Sequence, residues 1–91
     1  MLFAIRCIDK ADHLPLRQEN RPAHIEYVKT FHDRLYAAGP LLDAQGQMCG
    51  SLIILDVADK AEAQQFAAND PYALAGLFAE VTIDHWNRVL P

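Results

Sequence analysis

The sequence has no excess of positive charge and no long apolar run. It carries 8 basic against 12 acidic residues, a formal net charge of -4 at pH 7, so no basic surface is indicated for nucleic-acid phosphates or an anionic membrane. No apolar stretch approaches the ~18 residues of a membrane-spanning helix, and the N-terminal stretch lacks the basic region and cleavage site of a signal peptide. We therefore expect a cytoplasmic protein that binds neither nucleic acid nor membrane.

The sequence also lacks the short motifs of several classes of site. Its two cysteines, Cys7 and Cys49, are far apart and belong to no CxxC pair, so we expect reduced thiols. There is no glycine-rich phosphate loop, no Ser-His-Asp context and no spaced set of metal ligands. We expect no metal, no cofactor and no covalent nucleophile.

The 91 residues, of which 52% are hydrophobic, predict a single domain over residues 1–91. A chain of this length is near the size at which one hydrophobic core only just suffices. Association with a second copy is one way in which so short a chain gains buried surface.

The first half of the chain predicts one strand and one helix. Residues 2–8 alternate with apolar side chains on both faces, which is typical of a strand covered on two sides. Asn20 is a plausible N-cap with Pro22 in the first turn, and apolar residues at helical spacing predict a helix over 20–38. We expect Gly39-Pro40 to stop it, and the preceding "HLPLRQE" fits an extra helical turn or a loop equally well.

The second half predicts a hairpin, a broken helix and a last strand. The stretches "LLD" and "MCGSLIILDV" flank the turn residues "AQGQ" and predict two paired strands. Asp59 can cap a helix over 60–69, and Asp70, before a proline, fits the start of a new helical segment. Alternation in "EVTIDHWNRVL" predicts the final strand.

The resulting order, β-α-β-β-α-β, predicts an α+β fold of the ferredoxin-like type, a four-stranded antiparallel sheet with helices on one face. Two helices cover only one face of such a sheet, yet Leu52 and Ile54 point opposite to Ile53 and Leu55. We therefore expect a homodimer in which two sheets pack face to face.

Several short motifs occur in an order that resembles one known family. They are "DK" at 9–10, Arg17, "RPAH" at 21–24, "AGPLLD" at 38–43, "GSLII" at 50–54, "DPY" at 70–72, "AGLF" at 75–78 and Trp86. The sequence resembles the YciI-like (YCII-related) family of small ferredoxin-like domains that form dimeric α+β barrels. That family often has proline before the tryptophan, whereas this chain has His85. The resemblance implies an active site built on a histidine and an aspartate, which map onto His24 and Asp70, and it implies no common substrate.

His24 occupies a position where the apolar stripe of the predicted helix should continue. Val28, Phe31 and Leu35 follow it at helical spacing, so we expect the imidazole to point toward the sheet. One interpretation is a partly buried histidine satisfied by a neighbouring polar group. The other, favoured by the resemblance, is a group that accepts and returns a proton near neutral pH.

Asp70 likewise has two compatible interpretations. An aspartate before proline caps a helix whatever the protein does, and its second oxygen can accept from His24 and fix the tautomer of the ring. We predict that the two side chains lie within ~2.6–3.2 Å of one another at the edge of a pocket.

The candidate binding residues are Arg6, Ser51, Tyr72 and Trp86. Arg6 is a charge on an apolar strand and could hold an anion, whereas Arg17 and Arg21 fit ordinary surface or ion-pairing arginines better. Ser51 follows Gly50, where backbone can approach a ligand closely, and the two aromatic residues could form walls with a polar tip.

The main hypothesis is a small acid-base enzyme in which His24, oriented by Asp70, moves a proton on an unidentified small organic molecule in a lyase, isomerase or elimination step. One alternative is a non-catalytic module that binds a small molecule in the same pocket. The other is a structural dimer in which the pair only caps and packs.

Overall fold

A computed structural model describes residues 1–91, which form four strands and three helices. The elements are β1 (Leu2–Asp9), α1 (Leu14–Lys29), β2 (Leu35–Leu42), β3 (Met48–Asp56), α2 (Lys60–Asn69), α3 (Pro71–Leu74) and β4 (Phe78–Trp86). The strands make one antiparallel sheet in the order β2-β3-β1-β4. The predicted ferredoxin-like α+β fold is confirmed.

The core lies between one face of the sheet and the helices. Ile5 of β1 pairs with Ile53 of β3, and both side chains are almost completely buried together with Leu55 and with Phe66 of α2. Because successive residues of a strand point to opposite faces, their neighbours lie on the other face of the sheet. On this second face, here called the open face, Leu52 is 39% exposed and Ile54 is 9% exposed, and no helix covers it.

Helix α1 begins earlier and ends earlier than the sequence indicates. It starts at Leu14 with Pro15 in its first turn, a position where the missing N–H of proline costs no hydrogen bond. Asn20 is therefore not an N-cap, and its side-chain amide instead donates to the Leu16 carbonyl at 2.9 Å. Pro22 lies inside the helix, which ends at Lys29.

The residues predicted to end that helix belong to a strand. Gly39 and Pro40 lie inside β2, and Leu35 pairs with Leu55 of β3. Strand β2 is at the edge of the sheet. Proline is tolerated in an edge strand because one side of that strand makes no hydrogen bonds within the sheet. The helical spacing of Leu35 was thus fortuitous, and this boundary prediction was wrong.

The caps of the second half fall where the sequence places them. Asp59 accepts a hydrogen bond from Glu62 N at 3.0 Å at the start of α2, and Asp70 accepts from Tyr72 N at 2.9 Å at the start of α3. Helix α3 has only four residues, and β4 already begins at Phe78. No helix of the chain is both long and apolar enough to cross a membrane.

Gly50 is required where β1 and β3 approach each other closely. A Cβ atom at this position would overlap the carbonyl oxygen of Cys7 and lie 3.1 Å from Leu41 Cδ1. The sequence predicted a close approach of a ligand to the backbone at Gly50, whereas the structure packs this glycine against the backbone of Cys7.

We expect Gly50→Ala to lower the free energy of unfolding by ~1–3 kcal/mol, because an atom is forced into a packed site. Gly39→Ala is the matched control, since nothing within the chain lies within 4 Å of a Cβ there, and it should change stability by less than ~0.5 kcal/mol. Urea unfolding of both variants measures the difference, and equal stabilities would contradict the packing argument.

Candidate functional site

A pocket of about 300 Å³ lies between α1 and the sheet. It is called the α1 pocket here, and it is lined by Arg17, Arg21, His24, Ile25, Val28, Lys29, Leu35, Ala38, Gly39, Pro40, Ser51 and Tyr72. Its volume is at the lower end of the range for small-molecule sites. The pocket combines an apolar wall with a few polar and charged side chains.

His24 and Asp70 meet at this pocket. His24 Nδ1 lies 2.9 Å from Asp70 Oδ1 and 3.0 Å from Oδ2, and the Asp70 side chain is 1% exposed against 13% for His24. Asp70 Oδ1 also accepts from Tyr72 N. One carboxylate therefore caps α3 and holds the imidazole of α1.

The hydrogen bond assigns the tautomer of His24. An ionised carboxylate only accepts hydrogen bonds, so the proton of a neutral ring is on Nδ1 and Nε2 keeps its lone pair. No buried side-chain nitrogen or oxygen lacks a partner. Nε2, which has none, must therefore reach open space, and the α1 pocket is the space that His24 lines.

The ring of Tyr72 contacts two side chains of α1. Its ring lies parallel to the His24 ring with centroids 4.0 Å apart, and the Arg17 guanidinium carbon lies 4.4 Å from its centroid. Arg17 and His24, seven residues apart on α1, therefore both contact this ring. Burial raises the pKa of the Tyr72 hydroxyl, and the positive charges of Arg17 and Arg21 only partly offset this.

Arg17 is a buried cation whose guanidinium forms hydrogen bonds to Asp9 and Ser51. Its side chain is 2% exposed and binds Asp9 through Nε to Oδ2 at 2.6 Å and Nη2 to Oδ1 at 2.9 Å. Nη2 also donates to Ser51 Oγ at 2.9 Å. Burial by itself would lower the pKa of Arg17, but the hydrogen bond and charge of Asp9 outweigh it and the pKa is raised.

Two of the predicted binding residues lie elsewhere. Arg6 pairs with Leu52 and Thr82 across the sheet, and alternation along β1 puts its side chain on the open face, where it is exposed. Trp86 points to the same face, 36% exposed, with its ring 6.2 Å from that of Tyr36. Neither lines the α1 pocket.

Arg17 lines the pocket and contacts Ser51, a role that the sequence did not indicate. Ion pairing was one of the two roles considered for it, but its burial and its contact with Ser51 were not predicted. The available signal was spacing, because Arg17 precedes His24 by seven residues, two turns of one helix face.

The remaining reactive side chains form no second site. Both cysteines are free, and burial, followed by the charge of Asp70, raises the pKa of Cys7 to about 12, so this thiol stays protonated. No group of three or more His, Cys, Asp and Glu side chains is arranged to hold a metal ion.

A family model described as the YCII-related domain matches residues 1–87. Among curated proteins, the chain is 35% identical to Protein YciI of Escherichia coli over 97 aligned positions, which cover 98% of this chain and 99% of that protein. Protein YciI of Shigella flexneri matches to the same extent. These matches cover almost the whole of each chain.

Solved structures agree with these matches. The 5-chloro-2-hydroxyhydroquinone dehydrochlorinase of Burkholderia phenoliruptrix, in complex with 2,5-dihydroxybenzoquinone, is 32% identical, superposes with a TM-score of 0.93 and covers 98% of this chain and 96% of its own. An antibiotic biosynthesis monooxygenase described from Bacteriodes thetaiotaomicron shares the fold at 14% identity and a TM-score of 0.60, covering 100% of this chain and 90% of its own.

Proposed function

The chain belongs to the YCII-related domain family, and on that premise we propose that it is a small acid-base enzyme. In this proposal His24 is the proton-transfer group, Asp70 orients it, and the substrate is a small oxygenated ring compound held in the α1 pocket. The reaction is an elimination or isomerisation that begins with removal of a proton.

The observation that carries the proposal is the geometry of His24. Its Nδ1 is held by a carboxylate at 2.9 Å, and its Nε2 is left free beside a cavity large enough for a small molecule. A neutral imidazole in this orientation can accept a proton, and the Asp70 carboxylate stabilises the imidazolium that forms.

The chemistry of a relative supports the type of reaction. The Burkholderia protein, 32% identical, is a dehydrochlorinase and was solved with a dihydroxybenzoquinone. In an elimination of this kind a base removes a proton, the electrons of the broken bond to hydrogen form a new double bond, and chloride leaves with the electrons of its own bond. The net loss is HCl, and the base is the one group that the protein must supply.

The charges at the mouth of the pocket fit an acidic substrate. Arg21 and Lys29 are exposed side chains that line the pocket, whereas the charge of Arg17 is engaged by Asp9. Arg21 has no ion-pair partner and Lys29 Nζ lies 3.9 Å from Glu26 Oε1; both side chains carry positive charge beside the cavity that attracts a phenolate, an enolate or a carboxylate.

An assay with 5-chloro-2-hydroxyhydroquinone tests the proposal. The wild-type protein should release chloride, measured with a chloride-selective electrode, or should exchange carbon-bound hydrogen of 2-hydroxybenzoquinone for deuterium, measured by NMR in D₂O. Binding of 2,5-dihydroxybenzoquinone with neither reaction would favour the alternative of a non-catalytic binding module. If the protein neither binds the quinone nor catalyses either reaction, the result would favour the alternative of a structural dimer.

We also propose that the chain forms a homodimer through the open face. Leu52, Tyr36 and Trp86 are 39%, 46% and 36% exposed, and exposed apolar side chains grouped on one face are typical of an interface. The fold is that of the dimeric α+β barrel superfamily. In such a dimer Arg6 and Trp86 would contact the second copy.

We expect light scattering to give about twice the 10.2 kDa mass of the chain. Leu52→Asp should yield a monomer, because it places a charge in the centre of the covered face. Leu74→Asp is the control, since Leu74 is a 72% exposed leucine on α3, and it should leave the dimer intact. A monomeric wild type, or a dimeric Leu52→Asp variant, would contradict this interface.

A further inference from the structure

Two hydroxyl groups of the α1 pocket have no acceptor within the protein. Arg17 donates to Ser51 Oγ, and because arginine has no acceptor, the Ser51 proton is not used in that contact. Tyr72 is 1% exposed, yet its hydroxyl has no partner for its proton. Since no buried side-chain oxygen is unpartnered, the Tyr72 hydroxyl reaches the pocket that the residue lines.

We propose that the Ser51 and Tyr72 hydroxyls form a pair of hydrogen-bond donors for a carbonyl oxygen that becomes negatively charged during the reaction. This rests on the proposed function and narrows its substrate class to enolisable carbonyl compounds, that is, ring ketones with a hydrogen on the saturated carbon next to the carbonyl, including the keto forms of polyhydroxylated rings. The pair is distinct from the His24–Asp70 contact, which acts on the proton.

Arg17 holds both donors in place. Its guanidinium contacts Ser51 through Nη2 at 2.9 Å and lies 4.4 Å from the centre of the Tyr72 ring, while Asp9 fixes its own orientation with two hydrogen bonds. Accepting a bond from a cation makes the Ser51 hydroxyl a stronger donor. Burial raises the pKa of Tyr72, so its hydroxyl stays protonated and able to donate at neutral pH.

The base and the two donors line the same pocket. Tyr72 stacks directly on His24 with ring centroids 4.0 Å apart, and Arg17 contacts both Ser51 and Tyr72. In the proposal one small ring contacts Nε2 and the donor pair together. His24 Nε2 takes the proton from the saturated carbon next to the carbonyl. The electron pair of that bond forms a carbon–carbon double bond, and the carbonyl oxygen becomes an enolate oxygen that accepts from Ser51 and Tyr72.

Binding of 2,5-dihydroxybenzoquinone, whose ring carries carbonyl and enol oxygens, tests the donor pair. Ser51→Ala and Tyr72→Phe should each weaken binding up to ~10-fold, the effect of one lost hydrogen bond, and both should shift the absorption band of the bound quinone toward that of the free compound. Tyr27→Phe is the control, because its hydroxyl donates to the Phe66 carbonyl outside the pocket, and it should change neither affinity nor spectrum.

The two proposals fail in different ways. If the Ser51→Ala/Tyr72→Phe double variant binds the quinone with wild-type affinity and spectrum, the donor pair is overturned whatever His24 does. If the double variant loses binding while His24→Gln keeps turnover, the donor pair stands and the proton-transfer role of His24 is wrong. No binding of the quinone by the wild type would also overturn the donor pair. In a turnover assay the double variant should lose ~100-fold or more in kcat, as for oxyanion donors.

Discussion

Replacing His24 by glutamine should lower kcat for chloride release or deuterium exchange by ~100-fold to 10 000-fold, the usual contribution of a positioned acid-base group. The glutamine amide can still donate to Asp70 and fill part of the ring's volume, but it has no lone pair that accepts a proton near neutral pH. Binding of 2,5-dihydroxybenzoquinone should change by less than ~10-fold, because at most one hydrogen bond to the ligand is altered.

His32→Gln is the matched control for this variant. His32 also contacts a carboxylate, Asp33 Oδ1 at 2.8 Å, but both side chains are largely exposed and lie outside the pocket. Its replacement should leave kcat unchanged. If the His24→Gln variant turned over substrate at the wild-type rate, the acid-base role of His24 would be contradicted, and a binding module would be the favoured function.

Arg17→Met should lower the free energy of unfolding by ~3–5 kcal/mol, the cost of leaving one charge of a buried pair without its partner. The Asp9 side chain is 6% exposed and receives two hydrogen bonds from Arg17, so its carboxylate would remain buried and uncompensated. Ser51 would lose a partner as well. Urea unfolding followed by circular dichroism measures this change.

Two further variants separate the ion pair from other effects. Arg17→Met combined with Asp9→Leu removes both charges and should recover most of the loss. Arg34→Met is the surface control, because Arg34 is exposed and only stacks over Phe31 at 4.9 Å, and it should cost less than ~1 kcal/mol. If Arg17→Met lowered the free energy of unfolding by a similarly small amount, the prediction of an unpaired buried Asp9 carboxylate would be contradicted, since Asp9 would then have gained another partner or water.

The fold followed from the sequence because its strands alternate over several residues and its second helix carries its own cap. Asp59 bonds to Glu62 N, a local contact that sequence spacing encodes. The boundaries of α1 did not follow, since Pro15 and Pro22 both fit a first turn and only Pro15 occupies it. Gly39-Pro40 reads as a helix stop, but position at the sheet edge, a tertiary property, makes it part of β2.

The candidate site was predictable where it depended on one helix face. The spacing from His24 to Val28 placed the imidazole inward, and the ring is indeed mostly enclosed. The choice of Arg6 over Arg17 failed to match the geometry of the pocket, because a strand with two apolar faces gives no sign of which face carries the helices. Burial of Arg17 depends on Asp9 at the end of β1, a contact between elements that composition does not reveal.

The position of His24 in the helix also alters its electrostatic surroundings. From the sequence, His24 falls in the first turn, near the positive end of the helix dipole. In the structure α1 begins at Leu14, so His24 lies ten residues further on and the dipole acts on it little. Asp70, whose Oδ1 lies 2.9 Å from Nδ1, is the charged group in contact with the ring.

The state of the His24 ring tests the account most directly, and long-range proton–nitrogen correlation NMR of the histidine side chains measures it without a substrate. The His24 signals are identified as those absent from His24→Gln. At alkaline pH, where imidazole is neutral, we expect the proton on Nδ1 and a bare Nε2, and Asp70→Asn should weaken this preference while the amide oxygen still caps α3. A ring with its proton on Nε2 in the wild type would contradict the account, because no base would then face the α1 pocket.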